Sequence, residues 1–169
     1  MKNKFLIAAI VVVACASAAY AAFAQNLNVN GVGSATGNWA VQITAISLSS
    51  SAGAVNHNGV APVVASDGLS ASFNIDLAYP GATATYDMTI KNTGNIPAKL
   101  ATLTDLTAIN GAAPNYITYT LSGISVNYTL AAGATATARV SVAWSASATT
   151  NPNGANKAAT ISLGYVQNT

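Results

Sequence analysis

Hydrophobic residues alternate with polar ones along most of this chain, and this period of two constrains the fold more than any other feature. The alternation is cleanest at residues 73–79, and it recurs at residues 86–90 and 138–144. Turn residues end these runs, as at Pro80-Gly81 and in the segment 92–95, Asn-Thr-Gly-Asn. Because successive side chains of a strand point to opposite faces, such runs predict antiparallel strands with one buried face.

The number of these runs predicts an all-β fold. Further runs, some short, lie at residues 27–29, 39–43, 46–48, 96–100, 117–121, 124–130 and 161–165. A phase shift between Ile43 and Ile46 predicts a β-bulge. Residues 49–68 and 145–158 are polar and predict two long loops, the first with a minor strand at 60–64. Eight or nine short strands predict a single jelly-roll or immunoglobulin-like two-sheet sandwich over residues 38–169.

The N-terminus has the layout of a secretory signal peptide. Lys2 and Lys4 precede an uncharged apolar run at residues 5–14, and small residues follow. This run is too short to span a bilayer, so the pattern predicts a signal peptide over residues 1–21, with cleavage after 24 as the alternative. A retained membrane anchor is a further alternative.

A lipid anchor competes with simple cleavage. Residues 12–15, Val-Val-Ala-Cys, loosely match a lipobox, in which Cys15 would be acylated and become the first mature residue. Cys15 is the only cysteine, so a mature chain without it has no disulfide. The domain must then be held by packing and hydrogen bonds alone.

Charge is scarce along the chain, and this limits its partners. Six Lys and Arg residues stand against four Asp and Glu residues, and all four acids are aspartates. Removing Lys2 and Lys4 with the signal peptide reduces the net charge of +2 to zero. A neutral surface disfavours binding to nucleic acid, and the lack of repulsion favours self-association.

The residues that catalysis or metal binding would need are sparse. His57 is the only histidine, and without glutamate a His-Glu-x-x-His zinc site cannot form. A triad of His57 with Asp67 or Asp76 has no nucleophile-elbow motif to support it. The aspartates are spread singly, unlike a calcium loop. The sequence therefore predicts no enzyme, no cofactor and no metal.

Several single residues have predicted roles. We expect Asp76 and Asp87 to face solvent and to pair weakly with Lys91 or Lys99. Asn127 begins the sequon Asn-Tyr-Thr and is a candidate glycosylation site, pointing outward if Val126 and Tyr128 point inward. The two tryptophans are predicted core or interface anchors; they are Trp39 and Trp144.

The pattern of residues 22–37 predicts a strand followed by a glycine-rich hinge. Phe23, Leu27 and Val29 share one face of residues 22–30, and asparagines occupy the other face. Val32 follows out of phase. The soft hinge leaves two interpretations: the strand folds back onto its own sheet, or it inserts into a neighbouring subunit.

Two blocks of sequence resemble the TasA and camelysin family of biofilm matrix proteins, including the related archaeal bundling pilins. One is Tyr-Ala-Ala-Phe at residues 20–23, at the signal junction. The other is Tyr-Pro-Gly at 79–81 followed by the strand, Asn-Thr-Gly-Asn turn and strand of residues 86–100. The low charge departs from the Lys-rich bacterial members.

The resemblance implies a filament subunit that polymerises by donor-strand complementation. In that mechanism the mature N-terminal strand of one subunit fills a groove in the next, and filaments can bundle laterally. The interface residues it implies are Phe23, Leu27, Val29 and Val32. A monomeric or lipid-anchored surface domain, either an adhesin or an envelope accessory, is the alternative. Membrane contact would come only through the signal peptide or an anchor at Cys15.

Overall fold

A computed structural model of the chain describes residues 36–149, 157 and 159–168. Eleven strands and one α-helix are assigned within these ranges. The strands are β1 (Val41–Ala52), β2 (Ala54–Asn56), β3 (Val63–Val64), β4 (Ala71–Ser72), β5 (Ile75–Leu77), β6 (Thr83–Asn92), β7 (Ala98–Leu103), β8 (Ile117–Ser122), β9 (Thr129–Leu130), β10 (Thr135–Trp144) and β11 (Leu163–Gln167); the helix is α1 (Leu106–Gly111).

Several sequence predictions lie outside the described residues. They concern the signal peptide, the anchor at Cys15, and the donor-strand residues Phe23, Leu27, Val29 and Val32.

Strand β6 is the centre of a four-stranded antiparallel sheet in the order β1-β6-β10-β8. Its alternation places Tyr86 and Ile90 in the core, both at most 1% exposed. The outward positions are Thr85, Asp87 and Thr89, so this strand has one dry face and one polar face. The alternation therefore predicted β6 correctly.

A second sheet, in the order β11-β7-β9, packs across the first one. The shared core contains Ile90 of β6, Leu100 of β7, Leu130 of β9 and Ala138 of β10. Each of these side chains is at most 1% exposed. The predicted all-β, two-sheet sandwich is thus confirmed, whereas the finer jelly-roll arrangement stays a prediction.

The other end of the four-stranded sheet is covered by short elements. Strands β2 and β5 form a two-stranded sheet, and β3 pairs with β4. Phe73 packs against Tyr86 with ring centroids 4.2 Å apart. The Tyr86 hydroxyl donates to the Asn56 side-chain oxygen at 2.8 Å. These contacts let a large aromatic residue be buried without leaving its hydroxyl unpaired.

The predicted bulge between Ile43 and Ile46 is present. The register of β1 against β6 shifts between Ile43 and Ala45, and it shifts again between Leu48 and Ser50. Strand β1 also continues through Ala52, into the region predicted as loop. The minor strand predicted at residues 60–64 is found as β3.

The strand predicted at residues 124–130 is wrong for most of its length, since only β9 is extended there. Asn127 has φ = 72°, which breaks an extended strand. Tyr128 N donates to Ser125 O at 3.0 Å and closes a turn. Val126 and Tyr128 are 46% and 37% exposed, so they do not point inward as predicted.

The long strand predicted at residues 73–79 is also wrong in extent. Only β5 is extended within it, and Ala71 and Ser72 belong to a separate pairing with β3. His57 N donates to Asn74 O at 3.0 Å. The chain therefore divides its hydrogen bonds between two short partners instead of one long strand.

Helix α1 was not predicted by the sequence analysis. The Asp105 side chain caps its N-terminus by accepting from Thr107 N at 2.9 Å. Near its C-terminal end, the side-chain amide of Asn110 donates to Tyr119 O at 2.9 Å and accepts from Tyr119 N at 2.8 Å. Asn110 thus occupies the hydrogen-bonding groups of Tyr119 on the outer edge of β8.

Both predicted partners of the exposed aspartates are wrong. His57 Nδ1 lies 2.7 Å from Asp76 Oδ1. Arg139 donates to both oxygens of Asp87, at 2.7 and 3.1 Å. The register explains the second pair, because Arg139 of β10 lies directly opposite Asp87 of β6.

The ion pair between Asp87 and Arg139 predicts a measurable pH dependence. Hydrogen bonds from Arg139 hold the pKa of Asp87 below its usual range. A carboxyl with a lowered pKa in the folded state stabilises the fold above the ordinary value of about 3.9 and loses that contribution as the pH falls below it. We expect Arg139→Gln to be less stable than the natural chain at pH 7, with a gap that narrows toward pH 2. Thermal unfolding followed by circular dichroism measures this gap, and one that stays constant with pH would contradict it.

Candidate functional site

An apolar groove of about 610 Å³ lies open between the two sheets. Its floor is formed by Met88 and Ile90 of β6 with Val140 of β10. One wall comes from the start of β1 and from residues 68–73, and the other from residues 159–165, here called the C-terminal wall. Their lining residues are Trp39, Val41, Gln42, Ile43, Ile46, Gly68, Leu69, Ser70, Ala71, Phe73, Ala159, Thr160, Ile161, Ser162, Leu163, Gly164 and Tyr165.

A tight turn fixes the wall at residues 68–73. Ile43 N donates to Gly68 O at 2.7 Å, which ties the turn to β1. Gly68 has φ = 69°, a conformation that favours glycine. The Asp67 carboxylate accepts from Leu69 N at 2.8 Å. The turn leaves Leu69 71% exposed at the rim of the groove, so an apolar side chain stands there without cover from the described residues.

The C-terminal wall is held at two points. Thr104 N donates to Ser162 O at 3.1 Å, and Ser162 N donates to the Thr104 hydroxyl at 2.7 Å. Five residues earlier, Lys157 is bound to the loop after α1 and to the start of β8. Between these points the side chains of Ala159 and Ile161 pack on the core cluster around Tyr119.

Strand β11 presents an open edge beside the groove. Leu100 of β7 donates to Tyr128 O at 2.9 Å and accepts from Asn127 N at 2.8 Å, so its backbone groups face β9. Tyr165 lies opposite Leu100, so in an antiparallel pair its own N–H and C=O point away from β7. Gln167, two residues on, has the same orientation. Among the described residues, β11 is hydrogen-bonded to a strand on one side only.

The chemistry of the lining is suited to apolar burial. Apart from Tyr165, the described lining residues carry no ionisable side chain. Burial raises the pKa of Tyr165, so its hydroxyl stays neutral at physiological pH. The groove can therefore take up apolar side chains while the edge of β11 hydrogen-bonds an extended backbone.

The other predicted site residues lie apart from the groove, except for Trp39. Trp39 lines it and is 39% exposed, whereas Trp144 is only 6% exposed and belongs to the core. Asn127 is exposed in the turn before β9, a position compatible with glycan attachment. His57 lies in a short 3-10 turn. Within the described ranges, no three His, Cys, Asp or Glu side chains approach one another as metal ligands would.

The strand expected to fill such a groove could be proposed from the sequence, whereas the residues that line the groove could not. Residues 161–165 were recognised as alternating, and so were residues 39–43. Alternation shows which side chains face a core, but it does not show which strand edges stay unpaired. Unpaired edges depend on strand order, which the alternation does not indicate.

Two findings complete the description of the site. None of the described helices is long and apolar enough to cross a membrane. Comparisons with family models, with curated proteins and with solved structures find no match to this chain.

Proposed function

We propose that this chain is a secreted structural subunit that polymerises head to tail into an extracellular filament by donor-strand complementation. The observation that supports this best is the apolar groove beside the open edge of β11. An apolar groove combined with an unpaired strand edge is complementary to an incoming β-strand, which offers both alternating side chains and a backbone ladder.

The proposed occupant of the groove is the segment 22–32 of a second copy. As an extended strand, residues 22–30 would span about 30 Å. Their apolar face, with Phe23, Leu27 and Val29, would enter the groove, while Asn26 and Asn28 would face outward.

The expected energies are sufficient for a contact of this kind. Burying three such side chains contributes about 5–8 kcal/mol, and each ladder hydrogen bond adds about 1 kcal/mol. These gains are comparable with an association cost of about 4–15 kcal/mol, so adjoining surface must contribute to a tight joint.

Such a joint generates an open polymer. The donor strand of one copy and the groove of the next are different surfaces, so the contact is heterologous and does not close on itself. The neutral mature chain adds little repulsion between copies. The resemblance to the TasA and camelysin family agrees with this assembly, and the predicted signal peptide agrees with an extracellular location.

Negative-stain electron microscopy of the mature chain, beginning at Ala22, tests the proposal. We expect filaments from the natural chain and none from the variant Leu27→Asp/Val29→Asp, because two buried carboxylates oppose insertion. The matched control is Asn26→Asp/Asn28→Asp, which adds the same charge on the outward face and should still form filaments.

Three outcomes would count against the proposal. Filaments from the Leu27→Asp/Val29→Asp variant would exclude this strand as the donor. Loss of filaments in both variants would show that added charge prevents assembly whichever face of the strand carries it. A natural chain that stays monomeric at high concentration would favour a surface domain whose strand folds onto itself.

A further inference from the structure

The ammonium group of Lys157 sits in a cage of backbone carbonyl groups. Its four acceptors lie at 2.8–3.1 Å from Nζ, and they are Asn110 O, Ala112 O, Pro114 O and Ile117 O. They come from α1, from the loop that follows and from the first residue of β8. A second bond fixes the backbone, since the Tyr119 hydroxyl donates to Lys157 O.

Four carbonyl dipoles that converge on one point create a strongly negative potential. Without a cation their mutual repulsion would spread the loop after α1, because oxygen atoms of the same sign oppose close approach. Removal of water around the ammonium lowers the pKa of Lys157. The four carbonyl groups act in the opposite direction, since they stabilise the charged form. The cage thus has the composition of a monovalent cation site, with oxygen ligands and a cation supplied by the chain itself.

Lys157 is also the described residue that leads into the C-terminal wall of the groove. Ala159 and Ile161 follow it and line the groove, and the next fixed point is the bond between Ser162 and Thr104. Residues 163–165 of this wall are held by the pairing of β11 with β7, so the part between Lys157 and Ser162 is the part whose position depends on one anchor at each end. Removing the ammonium would loosen the anchor at Lys157, because only the bond from the Tyr119 hydroxyl to Lys157 O would remain there.

We propose that Lys157 is a positioning residue for strand acceptance: a tethered cation that organises the carbonyl cage and thereby fixes the C-terminal wall of the apolar groove. This inference rests on the proposed function, because the groove is taken to be the acceptor. It adds that acceptance depends on a hydrogen-bonding cation at a site outside the groove.

The test uses the full mature chain carrying Leu27→Asp/Val29→Asp, which cannot donate its own strand. Fluorescence anisotropy measures its affinity for a labelled peptide of residues 22–32. We expect Lys157→Ala to weaken this affinity about tenfold, a size typical of coupling between separate sites. Propylammonium, which replaces the deleted atoms, should restore it. Tetramethylammonium carries the same charge without N–H donors and should not, and Lys91→Ala, at an exposed lysine, should bind as the parent does.

Each result has a distinct meaning. If the parent does not bind the peptide, the proposed acceptor groove fails, and the role of Lys157 fails with it. Equal binding by the parent and Lys157→Ala overturns the role of Lys157 alone. If neither ammonium ion restores the affinity, or if both restore it equally, the cation does not act through its hydrogen bonds and that part of the proposal is wrong. Circular dichroism monitors folding, and if Lys157→Ala does not fold, Lys157→Met provides the same comparison of affinities without the charge.

Discussion

A one-to-one mixture of two assembly-blocked chains is expected to form a heterodimer and nothing larger. The first chain carries Leu27→Asp/Val29→Asp, so its groove is intact but its donor strand is blocked. The second carries Ile161→Asp, so its donor strand is intact but its groove is blocked by a charge. Because only one of the two possible joints can form, assembly stops after a single step.

Sedimentation velocity measures this result directly. Each variant alone should sediment as a monomer, and only the mixture should contain the dimer. Filaments from Ile161→Asp alone would show that the apolar groove is not the acceptor. A mixture that stays monomeric would contradict exchange between copies. If Ile161→Asp does not fold, Leu69→Arg blocks the rim at a side chain that is 71% exposed and outside the core.

The largest expected loss of stability from a single side chain is at Asn92. This is the one buried polar residue among those described, and it is fully inaccessible to solvent. Its side-chain amide donates to Ile96 O at 2.8 Å and to Leu130 O at 3.2 Å. Its side-chain oxygen accepts from Gly94 N at 3.0 Å. One side chain thus ties the turn after β6 to the second sheet.

The substitution Asn92→Ala would remove these three hydrogen bonds and deprive the Ile96 and Leu130 carbonyl groups of this donor, whereas Gly94 N keeps Ala40 O as an acceptor at 3.2 Å. An unsatisfied buried group costs about 1–3 kcal/mol, so we expect a loss of about 3–5 kcal/mol in the free energy of unfolding after partial relaxation. Chemical denaturation measures it. Asn74→Ala is the matched control at an exposed asparagine and should change stability by less than about 0.5 kcal/mol. Equal stability of the two variants would contradict the assigned role.

The sequence predicted the strands that have one buried face along their whole length. Strands β6 and β10 are such strands, since every second residue is buried. The bulge in β1 was predicted because a phase shift in the alternation has a direct structural meaning. The local pattern and the tertiary packing agree at these places, so the pattern was sufficient to predict the strands and the bulge.

The failures occur where backbone geometry overrides the pattern. Ile124 and Leu130 are buried and fit the alternation, but the left-handed turn at Asn127 places Val126 and Tyr128 outside. Asn is one of the residues that adopt the left-handed conformation most readily, so Asn127 was a weak indication of a turn at this position. The short α1 has six residues, fewer than two turns, which is too few for helical periodicity to show.

Of the two parts of the proposed joint, the donor strand could be predicted from the sequence and the groove could not. A strand with an apolar face and a soft hinge is a local feature, so it could be predicted for residues 22–37 from sequence alone, and it stays a prediction. The apolar groove arises from strand order and from edges left unpaired between distant segments. Lys157 lies in a segment predicted as a loop. Its four acceptors are 40–47 positions away in sequence, so no local pattern indicates its role.

In the proposed polymer, the side-chain amide of Asn110 on the edge of β8 would limit the number of strands that each subunit can accept. Together with the ammonium of Lys157 on Ile117 O, it occupies backbone groups that a further strand would need. Strand β1, at the opposite edge of that sheet, is interrupted by two bulges, which disfavour continuous pairing. Among the described strands of the second sheet, β11 keeps an open edge over residues 165–167, beyond its register shift between Gly164 and Tyr165. A polymer built from monovalent acceptors of this kind would grow without branches, by addition of subunits at its ends.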